Sequence, residues 1–147
     1  DEATCLVPRT TSLAAEYRRK IRTMQRGLNT LWFLRETMNP FRYGAFAWML
    51  VSHKLVRWVG FLTLPLAALG LLLLAPSSPL AAALVPLTAA GLLVGVWAMR
   101  RADQQPLPRL LATAGFATAS ALAGLIAWRQ FFQGQQSATW EPTRRPA

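Results

Sequence analysis

The chain has 147 residues, 53% of them hydrophobic, and its 16 basic and 6 acidic side chains give a formal net charge of +10. This length usually corresponds to one domain, and the positive charge predicts an anionic partner such as lipid headgroups, phosphorylated molecules or nucleic acid. The single cysteine, Cys5, excludes an intramolecular disulfide. Ten basic residues precede Trp58, so charge and hydrophobicity occupy different parts of the chain.

Residues 1–11 are predicted to form an irregular lead-in, because they contain Pro8 and two adjacent threonines but no periodic pattern. The chain begins with Asp1 rather than methionine and shows no signal-peptide pattern. We therefore expect it to be a fragment of a longer protein.

A basic amphipathic helix is predicted to begin at Ser12, a good N-cap residue, with Glu16 near its first turn. Apolar side chains recur along it at helical spacing: Leu13, Tyr17, Ile21, Met24, Leu28 and Leu31. The other side of the helix carries Arg18, Arg19, Lys20, Arg22 and Arg26. This basic cluster either lies against anionic lipid, which we favour, or faces a phosphorylated ligand held by another domain. Gly27 costs about 1 kcal/mol in a helix and predicts either a bend or a close packing contact.

A second amphipathic stretch, residues 43–58, follows Asn39-Pro40, which is predicted to end the first helix. At a bilayer centre Lys54 and Arg57 would each cost roughly 2.5–3.5 kcal/mol, so this stretch is predicted to lie in the headgroup layer. Residues 12–58 are therefore predicted to be basic amphipathic interfacial helices. His53, Lys54 and Arg57 are candidate phosphate contacts, which either anchor the chain on lipid headgroups or bind a lipid phosphate or polyprenyl diphosphate.

An uncharged stretch of 41 residues, 59–99, is interrupted only by a Pro-Ser-Ser-Pro turn at 76–79. It predicts a membrane hairpin, and a further uncharged run after it predicts a third crossing. The predicted transmembrane helices are residues 59–75, 80–99 and 110–128. We therefore expect an all-α membrane protein in which interfacial helices are followed by about three transmembrane helices and a polar tail, 129–147.

Basic side chains before Trp58 and in the loop 100–109 indicate that both regions face the cytoplasm, whereas the uncharged turn at 76–79 lies outside. Three crossings would place the tail outside, although it carries Arg129, Arg144 and Arg145. Either the charge rule is weak at this end, or the third run does not cross fully.

Tryptophans and small residues predict how the spans are placed and packed. Each apolar run has a tryptophan at one end, which predicts positions at the membrane interface for Trp58, Trp97 and Trp128. Gly91 and Gly95 form a G-x-x-x-G motif, and Ala117 and Ala121 lie in a run rich in small residues. Both features predict close helix packing.

The sequence contains no complete active site. It has one histidine, one cysteine, no Gly-rich phosphate loop and no paired carboxylates, and Asp103 stands apart from other candidate metal ligands. Nucleic-acid binding is disfavoured because the basic helix leads directly into membrane spans.

Three local patterns are more specific: Thr-Ser-Leu-Ala-Ala-Glu-Tyr-Arg-Arg-Lys-Ile-Arg at 11–22 with Gln-Arg-Gly at 25–27, Trp-Met-Leu-Val-Ser-His-Lys-Leu-Val-Arg-Trp at 48–58, and Trp-Glu-Pro-Thr-Arg-Arg at 140–145. In this order around the spans, they resemble the C-terminal region of membrane-bound family 2 glycosyltransferases that build bacterial polysaccharides. The resemblance covers nearly the whole chain.

The resemblance implies a missing cytosolic α/β domain that binds the nucleotide-sugar and a divalent metal (Mg or Mn), carries the catalytic base and extends into residues 1–11. Those residues would be its end, and the chain alone would be inactive. Processive members of the family carry a Gln-x-x-Arg-Trp motif beneath the active site. Glu16, Arg19 and Lys20 occupy its positions and are candidates to face the substrate or its diphosphate, although only Arg19 matches the motif.

The implied partners are anionic membrane lipids and, through the missing domain, a nucleotide-sugar and a lipid or glycan acceptor. The implied location is the bacterial inner membrane, with multiple crossings and a cytoplasmic N-terminal region. The alternative is a non-enzymatic small membrane scaffold or transporter subunit with a basic lipid-binding belt.

Overall fold

The computed structural model describes residues 12–135, and every regular element in this part of the chain is helical. The elements are α1 (Leu13–Phe33), a 3₁₀ turn (Arg35–Met38), α2 (Pro40–Leu50), a π-helical turn (Val51–Val56), α3 (Arg57–Leu74), α4 (Pro79–Arg101) and α5 (Arg109–Phe132). The predicted all-α class is confirmed. The lead-in 1–11 and the pattern at 140–145 lie outside the described residues.

Short polar side chains cap the N-termini of three of the helices. Ser12 caps α1, because its Oγ accepts a hydrogen bond of 3.3 Å from the backbone N–H of Ala15. Ser78 caps α4 in the same way. Asn39 was predicted to end α1, but that helix ends at Phe33, and the Asn39 side chain instead caps α2. Pro40 suits the first position of α2 because that position has no helical partner for an N–H group.

Three helical segments are long and apolar enough to cross a membrane, as expected for a multi-pass membrane protein: Pro40–Leu74, Pro79–Arg101 and Arg109–Phe132. The first of these segments joins α2, the π-helical turn and α3. The predicted interfacial position of α1 and α2 remains a prediction.

Helix α5 packs against α1, α3 and α4 and supplies most of the small residues at these contacts. Four of its five buried small residues recur every fourth position, Gly115, Ala119, Ala123 and Ala127, and the fifth is Gly124. Ala117 and Ala121, which were predicted to pack against other helices, lie beside this stripe: Ala117 is exposed and Ala121 is partly buried. Gly95 faces Thr118 of α5, whereas Gly91 faces open space, so only half of the G-x-x-x-G motif is used.

Helix α1 runs parallel to α5, because its contacts advance together along both helices. Ser12 contacts Asp103 just before α5, Lys20 contacts Ser120 in its middle, and Trp32 packs on Phe131 near its end. The buried core lies where α1, the start of α3 and the end of α5 meet. It consists of Met24, Leu28, Leu31, Trp58, Ala127 and Trp128.

Two of the three tryptophans predicted to lie at the membrane interface, Trp58 and Trp128, pack in this core, and their depth in the membrane remains a prediction. Trp58 and Trp128 are 7% and 8% exposed, whereas Trp97 is 44% exposed. The indole Nε1–H of Trp128 donates a 2.8 Å hydrogen bond to the backbone oxygen of Trp58. Packing and this buried hydrogen bond determine the positions of both rings.

Candidate functional site

A cleft of about 500 Å³ opens between α1, the π-helical turn, the start of α3 and the middle of α5. We call it the basic cleft, because four basic side chains and one acidic side chain line it. Its lining residues are Glu16, Arg19, Lys20, Thr23, Met24, Lys54, Arg57, Trp58, Phe61 and Ser120.

The cleft brings together five of the six candidate site residues. Glu16, Arg19 and Lys20 come from α1, while Lys54 and Arg57 come from a segment more than thirty positions later. His53 is exposed and does not line the cleft. The two groups proposed separately from the sequence therefore belong to one surface.

On the α1 wall, Arg19 and Glu16 form a two-pronged ion pair. The Arg19 Nε and Nη2 atoms donate to the Glu16 carboxylate at 2.9 and 2.8 Å. The hydrogen bond from Arg19 lowers the pKa of Glu16, although partial burial opposes the shift, and the same hydrogen bond raises the pKa of Arg19. The Arg19 side chain nevertheless remains 58% exposed, so it can be reached from the cleft.

Lys20 is directed towards α5. Its Nζ atom donates to Ser120 Oγ at 2.6 Å and lies 3.8 Å from the centre of the Phe116 ring. A cation over an aromatic face is attracted by the ring, so both contacts fasten α1 to α5. The sequence placed Lys20 with the outer basic face. Its spacing from Tyr17 and Met24 also places it at the edge of the apolar stripe.

The opposite wall is formed by Lys54 in the π-helical turn and Arg57 at the start of α3. Both side chains are exposed, and Lys54 Nζ lies 5.9 Å from the centre of the Trp58 ring. A π-helical turn is rare in proteins and frequently occurs at functional sites. Here it joins α2 to α3 at the residues that carry the positive charge of this wall.

Gly27 allows α1 to approach this wall closely. A Cβ atom at Gly27 would overlap the ring of Trp58, and one at Gly124 would overlap the ring of Phe61. Of the two explanations offered by the sequence for Gly27, close packing is therefore the correct one. Both glycines therefore make room for aromatic rings that line the cleft.

Sequence reasoning missed a structural contact made by Asp103. Its carboxylate accepts hydrogen bonds from Ser12 Oγ at 3.0 Å and from the backbone N–H groups of Leu13 and Ala14 at 2.6 and 3.0 Å. It thereby satisfies donors at the positive end of the α1 dipole. No local signal indicated this role, because the partners lie about ninety positions apart.

Within residues 12–135, no group of three histidine, cysteine, aspartate or glutamate side chains is placed to hold a metal ion. The divalent metal that the resemblance implies belongs to the upstream domain, and no chemical step is assigned to it here. The cleft offers cations and one carboxylate, which suits binding of an anion.

No family model matches the chain, and no curated protein or solved structure matches it either.

Proposed function

We propose that this chain is the membrane-anchoring C-terminal part of a family 2 glycosyltransferase. The whole enzyme would transfer a sugar from a nucleotide-sugar donor to a lipid-linked or polysaccharide acceptor. The observation that supports this proposal is the basic cleft, because two of the patterns that resemble the family, far apart in the chain, both contribute side chains to it. Arg19, Lys54 and Arg57 would bind phosphate oxygens there.

In this proposal, α1 and α2 lie at the cytoplasmic face of the bacterial inner membrane. Helix α2 carries large exposed aromatic side chains, including Phe41 at 100% and Trp48 at 70% exposure. Arg42 lies between them in sequence, and aromatic and basic side chains together favour the headgroup layer. The upstream domain, which would hold the divalent metal and the nucleotide-sugar, would rest on this face.

The first test is Arg19→Ala in the full enzyme, with Arg18→Ala as the matched control. Arg18 is an exposed cation on α1 that does not line the cleft. Removing a charge-assisted contact to a phosphate should lower turnover about ten- to hundredfold, while the protein stays in the membrane. Equal turnover in the two variants, measured with radiolabelled nucleotide-sugar in membranes, would contradict the role of Arg19.

A second test separates this proposal from the alternative of a non-enzymatic scaffold or transporter subunit with a basic lipid-binding belt. The isolated chain should transfer no sugar, whereas the protein encoded by the reading frame that continues upstream of Asp1 should do so. An upstream α/β domain with an acidic metal motif is expected in that frame. Sugar transfer by the isolated chain, or a start codon immediately before Asp1, would contradict the proposal that this chain is a membrane anchor.

A further inference from the structure

We propose that the basic cleft and an apolar crevice next to it form one site for a lipid phosphate. The phosphate group would lie against Arg19, Lys54 and Arg57, and the hydrocarbon chain would lie between α3 and α4. The role of this lipid as an acceptor in sugar transfer rests on the proposed function, but its binding does not.

The crevice has a volume of about 530 Å³ and lies between α3 and α4. Its lining is Leu64, Ala67, Ala68, Leu71, Leu72, Val85, Thr88, Ala89 and Leu92. Thr88 is the only residue in this set with a polar side chain, and its hydroxyl donates to the backbone oxygen of Leu84 at 2.6 Å. The crevice therefore offers its occupant a hydrocarbon surface, within two helices that are apolar enough to cross a membrane.

The cleft and the crevice share α3. Phe61 lines the cleft, and Leu64 lines the crevice one helical turn further along. Both volumes lie in the range of about 300–1,000 Å³ that is typical of small-molecule sites. A ligand with a charged head and an apolar tail would meet cations first and then aliphatic side chains along the same helix.

The composition of the cleft indicates the chemistry of the head. Its cationic side chains outnumber the one carboxylate, and Arg19 presents the planar fork that binds phosphate oxygens in pairs. Trp58, Phe61 and Met24 supply an apolar base beneath these charges. A free nucleotide has no hydrocarbon chain and would leave the crevice uncovered, whereas a lipid phosphate reaches both the cleft and the crevice.

Glu16 serves as an internal counter-ion in this site. Its carboxylate occupies the fork of Arg19, with an Nη2–Oε2 distance of 2.7 Å, and an incoming phosphate would compete for the same donors. Glu16→Gln should therefore strengthen binding about fivefold by removing the competing charge. A Glu16 with a purely structural role would give unchanged or weaker binding instead.

The binding experiment uses the purified chain in neutral detergent micelles, with ligand occupancy measured by native mass spectrometry. The probe is dioctanoyl phosphatidic acid, compared with glycerol 3-phosphate, which lacks the chains, and dioctanoyl phosphatidylcholine, which lacks the net charge. Phosphatidic acid should bind at least about tenfold more tightly than either, because only it fills both parts of the site. Equal binding of glycerol 3-phosphate would identify a free-phosphate site, and equal binding of phosphatidylcholine a purely apolar one; either result overturns the proposal.

The charged part of the site is tested with Lys54→Gln and Arg57→Gln combined. The matched control combines Arg100→Gln and Arg101→Gln, which removes the same charge outside the cleft. Loss of two cations from the site should weaken phosphatidic acid binding about thirtyfold, and the control should change it less than about threefold. Equal losses would show that overall charge alone attracts the lipid.

The apolar part is tested with Ala89→Phe, which fills the crevice, and with Ala90→Phe as the control. Both alanines are exposed neighbours on α4, but only Ala89 lines the crevice. Ala89→Phe should weaken phosphatidic acid binding about tenfold, with circular dichroism and melting temperature matching those of the control. Equal affinity in the two variants would overturn the crevice assignment. None of these measurements requires turnover, so their failure is distinct from failure of the proposed glycosyltransferase.

Discussion

The α1–α5 pair and the α3–α4 hairpin are both helical, but they differ in how much of their surface is buried against protein. In the most apolar window of α5, 28% of the residues are buried against protein, compared with 11% in α4 and 6% in the segment Pro40–Leu74. The pair is fastened by polar contacts of Asp103, Lys20 and Gln25, whereas the hairpin exposes many leucines. In the α1–α5 pair, other parts of the protein cover much of the apolar surface. In the α3–α4 hairpin, most of the apolar surface is exposed, as expected for helices surrounded by lipid.

This difference bears on how deeply each half can enter a bilayer. Helix α1 lies beside α5 along the length of both helices, and it carries five cations between Arg18 and Arg26. At the membrane centre each of these cations would cost roughly 2.5–3.5 kcal/mol. We therefore expect α1 to hold α5 at the level of the headgroups, while α3 and α4 alone cross.

The largest expected effect is on the side of the membrane from which the end of α5 can be chemically labelled. In a Cys5→Ser background, Gln104→Cys, Gln133→Cys and Ser77→Cys would each be reacted with an impermeant maleimide in membrane vesicles of defined orientation. Gln133 should be labelled from the same side as Gln104, because α5 does not cross, and Ser77 from the opposite side. If the cysteines at positions 133 and 77 were labelled from the same side, α5 would span the membrane, and the proposed difference between the two halves would be wrong.

A smaller effect tests the packed half against the exposed half with two glycines. Gly124→Ala places a methyl group against the Phe61 ring, whereas Gly91→Ala places one in open space. Overpacking should cost about 1–3 kcal/mol at position 124, while position 91 should be neutral or gain up to about 1 kcal/mol in helix propensity. Thermal unfolding in detergent measures both changes, and equal shifts would show that the two glycines are packed alike.

The polar fastening of the pair predicts a modest dependence of stability on pH. Burial opposes a lowered pKa of Asp103, but hydrogen bonds from Ala14, Leu13 and Ser12 outweigh it and lower that pKa below its ordinary value. A carboxyl with a lowered pKa in the folded state contributes stability above its unfolded value, near 3.8, and loses it as the pH falls through the folded value.

Asp103→Asn should therefore cost about 1 kcal/mol or less at pH 7, because the site is largely exposed. The difference from the wild-type chain should narrow as the pH is lowered below about 4. Unfolding curves at pH 7, 5 and 3 measure this difference. A constant difference across that range would show that the carboxylate charge does not stabilise α1.

The smallest expected effect is that of changing His53, and it tests whether only the residues that line the cleft bind the lipid. His53→Gln should leave phosphatidic acid affinity within about twofold of the wild-type value, because the side chain lies outside the cleft. Lys54→Gln, one position later, should weaken binding about fivefold. Equal losses at the two positions would extend the site across the whole π-helical turn.

Much of the fold could be predicted because its signals are local. The Ser12 cap, the apolar stripe of α1 and the uncharged runs each lie within one element, and the helices begin and end near them. The contact between Trp58 and Trp128 spans seventy positions, and that between Leu13 and Asp103 ninety. No periodic pattern encodes these pairings, so the sequence did not predict either contact.

The candidate site was predictable as a set of charges but not as one surface. Helical spacing grouped Lys54 with Arg57, and the family resemblance singled out Arg19; the structure places all three around the same cleft. Ser120 and Phe61 were missed, because a serine in an alanine-rich run and a phenylalanine in an apolar run have no distinctive local pattern. Only the packing of α1 and α3 on α5 shows that they belong to the cleft.

The Asp103 contact also fixes the direction in which the chain enters the bundle. Three hydrogen bonds hold Ser12, Leu13 and Ala14 against the loop between α4 and α5, so they favour one orientation of the start of α1 relative to these helices. In the proposed enzyme, the same contacts would tie the chain that follows the catalytic domain to the membrane helices.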